Sequence, residues 1–562
     1  MPFFGGGSRL GVFSSVLGKH TTYRSERTKF DATGDFSFTE CRLLNKRGLL
    51  VQIKVDVFAK ELILAAGQHL VYVPLFDVVG AEAVEEEDVK GDSYRLDVWF
   101  CPQQYLKPSV RVLKRMRLAF NSEEDRSEWY EALRARQPAG EVLVFVNPYG
   151  GKRIARELFH KNLKPMFAIA DVDYDKIETT HRMHIQEECE SLNVDRYRMV
   201  VAIGGDGTVD EAINGLSRNP DPRARFVPVG QLPGGTANAL AEVRGVDNPV
   251  TASFYAAKGS YRPLDVMKVA NETGSIDLIA TCMVSLGFIS FVNMKASGWR
   301  NLLGTARYGV CGARSVICAK VTDYEADLKV VHNQDEVSTP SHTQEGASRD
   351  SSPLGDTRRS GDSNTTSGEV STADDLNDGY AGSSGSTGVT KTRSDKGSYD
   401  IVSPELFRDV HNKHIYPPPK NFAPCSIGED GIQLNRSPSM FFTTNRNKVQ
   451  LLHYFSLIGL HKSATALKDA SGHHPTFDIE HGVQRVELKP KGKIADKHKI
   501  AYSIDGECYW SDSTVAVTYL PNFCYMVGHP VPVDSEGEGS LRRASYLQAI
   551  GEGLRRDAFS GS

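Results

Sequence analysis

The stretch that most constrains this chain is Met199 to Leu216, MVVAIGGDGTVDEAINGL. Apolar or small residues from Met199 to Ile203 run straight into Gly204-Gly205-Asp206-Gly207-Thr208. Val209, Ala212, Ile213 and Leu216 then recur with the period of an amphipathic helix. The pattern predicts a buried strand, a tight glycine turn and a helix start. Such a turn lets backbone N–H groups approach an anion, and the helix N-terminus adds its positive dipole end. The carboxylate of Asp206 stands where it would repel a phosphate. Two readings account for it: a base or metal-orienting group beside a transferred phosphate, or an Asp that caps the following helix.

The 562 residues are enough for two to four domains. A formal net charge of −4 argues against a globally basic nucleic-acid binder. The nine cysteines form no CxxC pair and no Cys/His cluster, so they read as reduced core residues, and no metal ligand set is expected. Met1 to Gly18 lacks the charge and apolar run of a signal peptide. No stretch is apolar for the length of a bilayer span.

Taken in order, residues 1–35 are Gly/Ser/Thr-rich and expected to be flexible. From Cys41 to Phe120 short alternating runs such as LLVQIKVDVF and YRLDVWFC predict an antiparallel barrel or sandwich, closed by a helix that Ser122 caps and that carries Trp129 and Leu133. The basic run Lys107, Arg111, Lys114, Arg115 and Arg117 suits either anionic lipid headgroups or a solvated strand face. After Pro138 strands alternate with helices: EVLVFV leads into Asn147-Pro148-Tyr149-Gly150-Gly151-Lys152-Arg153, and RFVPVGQ into Leu232-Pro233-Gly234-Gly235-Thr236-Ala237-Asn238. This alternation predicts a parallel, doubly wound sheet whose glycine loops converge at the carboxyl ends of the strands. From Tyr261 strand patterns return, with DLIATCMVSLGFISFV read as strand. Residues 334–400 are a Ser/Thr/Gly/Asp-rich insertion expected to be disordered, and the tail 531–562 is expected to be flexible. No GxxxxGK[ST] loop is present, which argues against a P-loop kinase.

Together the loops NPYGGKR, GGDGTVDEAINGL and LPGGTANALA resemble the diacylglycerol-kinase catalytic family, and within it the sphingosine (long-chain base) kinases, with ceramide kinase next. The likeness continues through PLDVMKV, SLGFISFVN, LLGTARYGV and SIDGE. It implies an α/β, Rossmann-like nucleotide-binding lobe at 139–260 and a C-terminal β-sandwich lobe at 261–530 that holds a lipid. The strands and helix at 36–137 are similar to the pleckstrin-homology-like domain that precedes the ceramide kinase catalytic region.

The resemblance implies an ATP- and Mg²⁺-dependent lipid kinase that visits intracellular or plasma membranes peripherally from the cytoplasm. Carried over residue by residue, Asp206 matches the general base, Gly204, Gly205 and Gly207 the turn around it, and Glu211 a nucleotide-contacting Glu. Asn147, Pro148 and Tyr149 match the first phosphate loop, where sphingosine kinases usually have Arg in place of Tyr149. Thr179 to Met183 match a segment near the adenosine. Gly235, Thr236 and Ala237 match a second loop over the nucleotide, Arg300 and Arg307 two arginines that reach the phosphates, and Asp505, Gly506 and Glu507 a motif that closes on the nucleotide.

Phe288, Ile289 and Asn293 fall where the resemblance places the lipid. Sphingosine kinases carry an Asp there to pair with the lipid ammonium. Asn293 hydrogen-bonds but cannot neutralise a cation. Asp265 offers a second acidic group or a structural one. The reading is sphingosine phosphorylation to sphingosine 1-phosphate, with ceramide or diacylglycerol as alternative substrates. An inactive lipid-binding regulator and a soluble-substrate kinase of the NAD kinase kind are the rivals from other classes.

Overall fold

The computed structural model describes residues 23, 25–27, 39–44, 50–58, 61–66, 69–84, 94–104, 107–134, 138, 140–235, 238–299, 306–317, 324–332, 389–402, 427–428, 431–432, 439–444, 478–480, 483–491 and 500–529. The first unit is an antiparallel sheet built from β1 (Ser25–Arg27), β2 (Thr39–Leu44), β3 (Leu50–Phe58), β4 (Glu61–Ala66), β5 (His69–Pro74), β6 (Val78–Val84), β7 (Tyr94–Phe100) and β10 (Lys114–Phe120), while β8 (Gln103–Gln104) pairs with β9 (Lys107–Arg111). The order is β1-β5-β4-β3-β2-β10-β7-β6, and among the described residues no ladder joins β1 to β6. Alternate residues such as Leu96, Val98 and Phe100 face a core that Trp129 and Leu133 of the helix Glu123–Arg134 close. Asp125 N donates to Ser122 Oγ at 3.1 Å, so the expected cap forms. The expected flexible start at 1–35 is corrected at its end: β1 pairs with β5, and Tyr23 packs on the core.

The basic run is not one exposed face. Arg111 is only 5% exposed and pairs with Asp77 at 2.7 Å, while Arg115 and Arg117 both reach Asp97. The Lys107 side chain lies outside the described residues. Arg111 instead faces the second unit, where its guanidinium lies over the Phe254 ring and donates to Tyr255 Oη. Backbones approach closely at this seam, since a Cβ on Gly80 would fall 2.0 Å from the Ile169 carbonyl oxygen.

The second unit is the predicted doubly wound sheet. Its parallel strands β11 (Glu141–Val146), β12 (Tyr174–Glu178), β13 (Tyr197–Gly204) and β14 (Val229–Pro233) lie in the order β12-β11-β13-β14. Strands apolar on both faces sit between two cores. Residues 155–169 and the helix Pro249–Ala257 cover one face, and the helices His184–Glu190 and Asp206–Arg218 cover the other.

The third unit continues the same sheet. Its strands are β15 (Tyr261–Asn271), β16 (Asp277–Ala280), β17 (Met283–Leu286), β18 (Tyr324–His332), β19 (Val389–Val402), β22 (Ser439–Thr444), β23 (Asp478–Glu480), β24 (Val483–Lys491), β25 (Ile500–Ile504), β26 (Glu507–Ser511) and β27 (Val515–Val527); β20 (Ile427–Gly428) and β21 (Gly431–Ile432) form a separate pair. β27 bridges the units, parallel to β14 at Val229↔Met526 and antiparallel to β15 and β24. Alternate residues Met267 and Val269, Leu328 and Val330, and Val515 and Val517 enclose one core.

Two expectations are corrected here. Residues 389–400, read as the end of a disordered insertion, form β19, hydrogen-bonded to β17, β18 and β22. Neighbouring strands supply partners that the polar local composition does not reveal; residues 333–388 lie outside the described residues. The run after Gly287, read as strand, is the helix Phe288–Ser297. Gly287, at φ +110°, ends the strand, and Ser290 Oγ bonds both its N–H and its carbonyl, starting a helical turn.

Candidate active site

Three loops leave the carboxyl ends of β11, β13 and β14 and touch one another through glycines. In the first, the Asn147 side chain accepts from the N–H groups of Tyr149 (3.1 Å) and Gly150 (3.0 Å), an Asx turn that folds the chain back. Lys152 N donates to Gly234 O at 3.3 Å, joining the first loop to the third. Gly151, at φ +52°, sits where a Cβ would lie 2.7 Å from that same oxygen. Gly234 N donates to Gly204 O at 2.9 Å, joining the third loop to the second. A Cβ on Gly235 would come within 2.3 Å of the Gly205 Cα. These glycines are required because backbone meets backbone, and glycine loops at strand ends are the kind of element that holds phosphates. Pro148 and the highly exposed Tyr149 lie on the rim beside exposed Lys152 and Arg153.

Asp206 opens the helix Asp206–Arg218. Its carboxylate accepts from Ala239 N (3.1 Å), Leu240 N (3.2 Å) and Gln231 Nε2 (3.3 Å). The carboxylate is therefore held by β14 and by the first turn of the helix Ala239–Val243, and does not cap its own helix. Gly207 is exposed, with no neighbour near a Cβ among the described residues.

Glu211 accepts from the backbone N–H groups of Met183 and Ile185, and burial pushes its carboxyl above the usual range. Met183, at φ +67°, precedes the helix His184–Glu190, and Thr179 is buried, its N–H on Val146 O. Glu211 thus fixes the Thr179–Met183 segment through its backbone. Arg182 ties that segment to Glu507 at 3.3 Å.

Asp505 reaches in from the β25–β26 turn, at φ +48° ahead of Gly506 at φ +84°. It accepts from Thr281 N (2.6 Å), Cys282 N (2.9 Å) and Met283 N (2.7 Å). Burial pushes it up to about 6 against those bonds, with the negative Asp206 adding to the rise. Asp210 takes the Thr281 hydroxyl at 2.6 Å, and burial together with Asp505 raises it well above the usual carboxylate range.

Asp210, Thr281 and Gln231 were not read as site residues. Asp210 had a signal, being one helical turn after Asp206. Thr281 and Gln231 had none, because only tertiary contact brings them in. Thr236, Ala237 and Arg300 lie outside the described residues, as do the side chains of Phe288, Ile289 and Arg307. Asn293 donates from Nδ2 to Ser503 Oγ at 2.7 Å. Asp265 is structural, accepting from Tyr519 Oη and Asn522 N.

Among the described residues no three His, Cys, Asp or Glu side chains are grouped to hold a metal ion. The glycine cradle fits a nucleotide's phosphates, and Mg²⁺ that keeps its waters and rides on phosphate oxygens needs no such cage.

Residues 141–269 match the model of the diacylglycerol kinase catalytic domain. Sphingosine kinase 2 of Arabidopsis thaliana is 34% identical over 187 residues, 32% of this chain and 38% of that protein. Human ceramide kinase is 27% identical over 309 residues, 49% of this chain and 56% of that protein. The chain thus spans about 38% to 56% of the length of these relatives. A solved structure described as a putative diacylglycerol kinase from Bacillus anthracis str. Sterne aligns with a TM-score of 0.40 at 14% identity, over 69% of this chain and 97% of that one. The family likeness of this chain thus rests on residues 141–269, which match the diacylglycerol kinase catalytic domain.

Proposed function

We propose that the chain is an ATP-dependent lipid kinase that phosphorylates the primary hydroxyl of a sphingolipid, with a sphingoid base as substrate. The observation that carries the reading is the Asp206 carboxylate, held by three donors where the glycine loops meet. Glycine N–H groups bind the phosphates of ATP. The lipid hydroxyl gives its proton to Asp206 as its oxygen bonds to the γ-phosphorus, and the bond from that phosphorus to the β–γ bridging oxygen breaks, releasing ADP. Mg²⁺ would spread the charge of the phosphates during transfer. Positioning and charge stabilisation do most of this work.

Ceramide is the second reading. Asn293, where an ammonium partner is expected, is neutral and bonded to Ser503, and Asp265 is engaged by Tyr519 and Asn522. Purified protein with labelled ATP, offered sphingosine, ceramide and diacylglycerol side by side, separates the substrates. Phosphorylation of none of them overturns the proposal. Peripheral binding to anionic membranes is retained as part of it, although the burial of Arg111 removes the basic run as its support.

A further inference from the structure

Gln231 is a glutamine in a strand where every residue is buried, and it is itself only 1% exposed. It lies opposite Ala202 in the β13–β14 ladder. It points to the face covered by the helix Asp206–Arg218, the face that Val229 also packs on. Its Nε2 donates to Asp206 Oδ1 at 3.3 Å, while its Oε1 is buried with no hydrogen-bond partner among the described residues. A buried acceptor without a partner costs stability, and an apolar side chain of the same shape would avoid that cost. The amide is therefore poorly explained as a stabilising element, and its single bond goes to the carboxylate that the proposed reaction uses.

We propose that Gln231 is a positioning residue. Its amide and the Ala239 and Leu240 N–H groups fix the orientation of the Asp206 carboxylate, ready for the lipid hydroxyl. This assignment rests on the reading of Asp206 as general base. The ionisable groups whose own titration Asp206 raises are Asp210 on its own helix, Asp505 from the β25–β26 turn and Cys282 beside Thr281. A hydrogen-bond donor favours the charged form of the carboxylate it touches.

The test compares the full-length wild type with Gln231→Met and Gln231→Glu, reading Tm and the pH profiles of kcat and kcat/KM on whichever lipid the wild type phosphorylates. Met keeps the length and fills the same space without polar atoms. Removing the donor weakens the charged form of the carboxylate. Gln231→Met is expected to melt at or above the wild-type temperature, to lose about tenfold or more in kcat, and to move the acid limb of kcat/KM to higher pH. Gln231→Glu, with a second carboxylate beside Asp206, is expected to move that limb further. Two results overturn the assignment: Gln231→Met with wild-type kcat and acid limb, or a drop in Tm and kcat together with the acid limb unmoved, the behaviour of a purely structural residue. A wild type inactive on every lipid offered overturns the proposed function and this assignment with it. An active wild type with unaffected variants overturns the assignment alone.

Discussion

Arg111, at the end of β9 in the N-terminal unit, donates from Nε to the Tyr255 hydroxyl of the α/β unit at 3.2 Å. The same guanidinium holds Asp77 at 2.7 Å and the Cys101 carbonyl at 2.6 Å, and it stacks over Phe254 at 4.4 Å. Lys258 adds a bond from its ammonium to Val78 O, and burial pushes that amine down to about 8. Buried charge, satisfied on every side, makes this seam part of the fold. Arg111→Ala leaves Asp77 buried without its cation, which costs about 3–5 kcal/mol. A large fall in Tm is expected, with vesicle binding unaffected once stability is allowed for. An unchanged Tm in thermal melts would contradict the interface role.

Asp206→Asn keeps the size of the side chain and removes the proposed base. Turnover should fall about 10²–10⁴-fold with nucleotide affinity retained, measured by steady-state kinetics and by ATP titration. A mutant above half the wild-type rate would end the assignment.

Asp210 and Asp505 both titrate high, chiefly from burial. A carboxyl raised in the folded state favours the fold at low pH, and that stability is lost as pH rises through the folded value, about 6 for Asp505. Asp210→Asn keeps an acceptor for Thr281 and removes one charge. It should therefore raise Tm at pH 7 and above and give no gain near pH 4, where the pair is protonated. A gain that is the same at both pH values would show that the charges do not interact.

The strand β19 sets the limit for trimming the Ser/Thr/Gly-rich region. A deletion ending before Val389 is expected to leave Tm and activity near wild type, since closing a shorter loop changes the entropy little. One that runs through residue 398 removes a strand bonded to β17, β18 and β22 and should give insoluble protein. Soluble, active protein from the longer deletion would contradict the pairing.

Asn293→Asp separates the two substrates. With a sphingoid base, the new carboxylate meets the lipid ammonium and kcat/KM for sphingosine should rise. With ceramide, it stands unpaired beside a neutral headgroup and should cost on the order of a few kcal/mol. The comparison is kcat/KM on both lipids; a loss on sphingosine counts against the sphingoid-base reading.

What the sequence by itself determined was local. Runs of apolar residues ending in glycines and Asn147, Asp206 and Asn238 announced strands, turns and glycine loops, because those conformations depend on the residues that adopt them. The doubly wound order followed from strand–helix alternation. Only the tertiary structure decided which long-range partners each charge meets. It turned Arg111 from a candidate lipid contact into a buried seam residue, and it gave Glu211 two backbone donors on another helix. It made a strand of polar residues 389–402 and a helix of apolar residues 288–297. Strand pairing and burial join residues far apart in the chain, such as Gln231 with Asp206 and Thr281 with Asp505. No local pattern encodes those distances; they follow from how the sheet and its cores close.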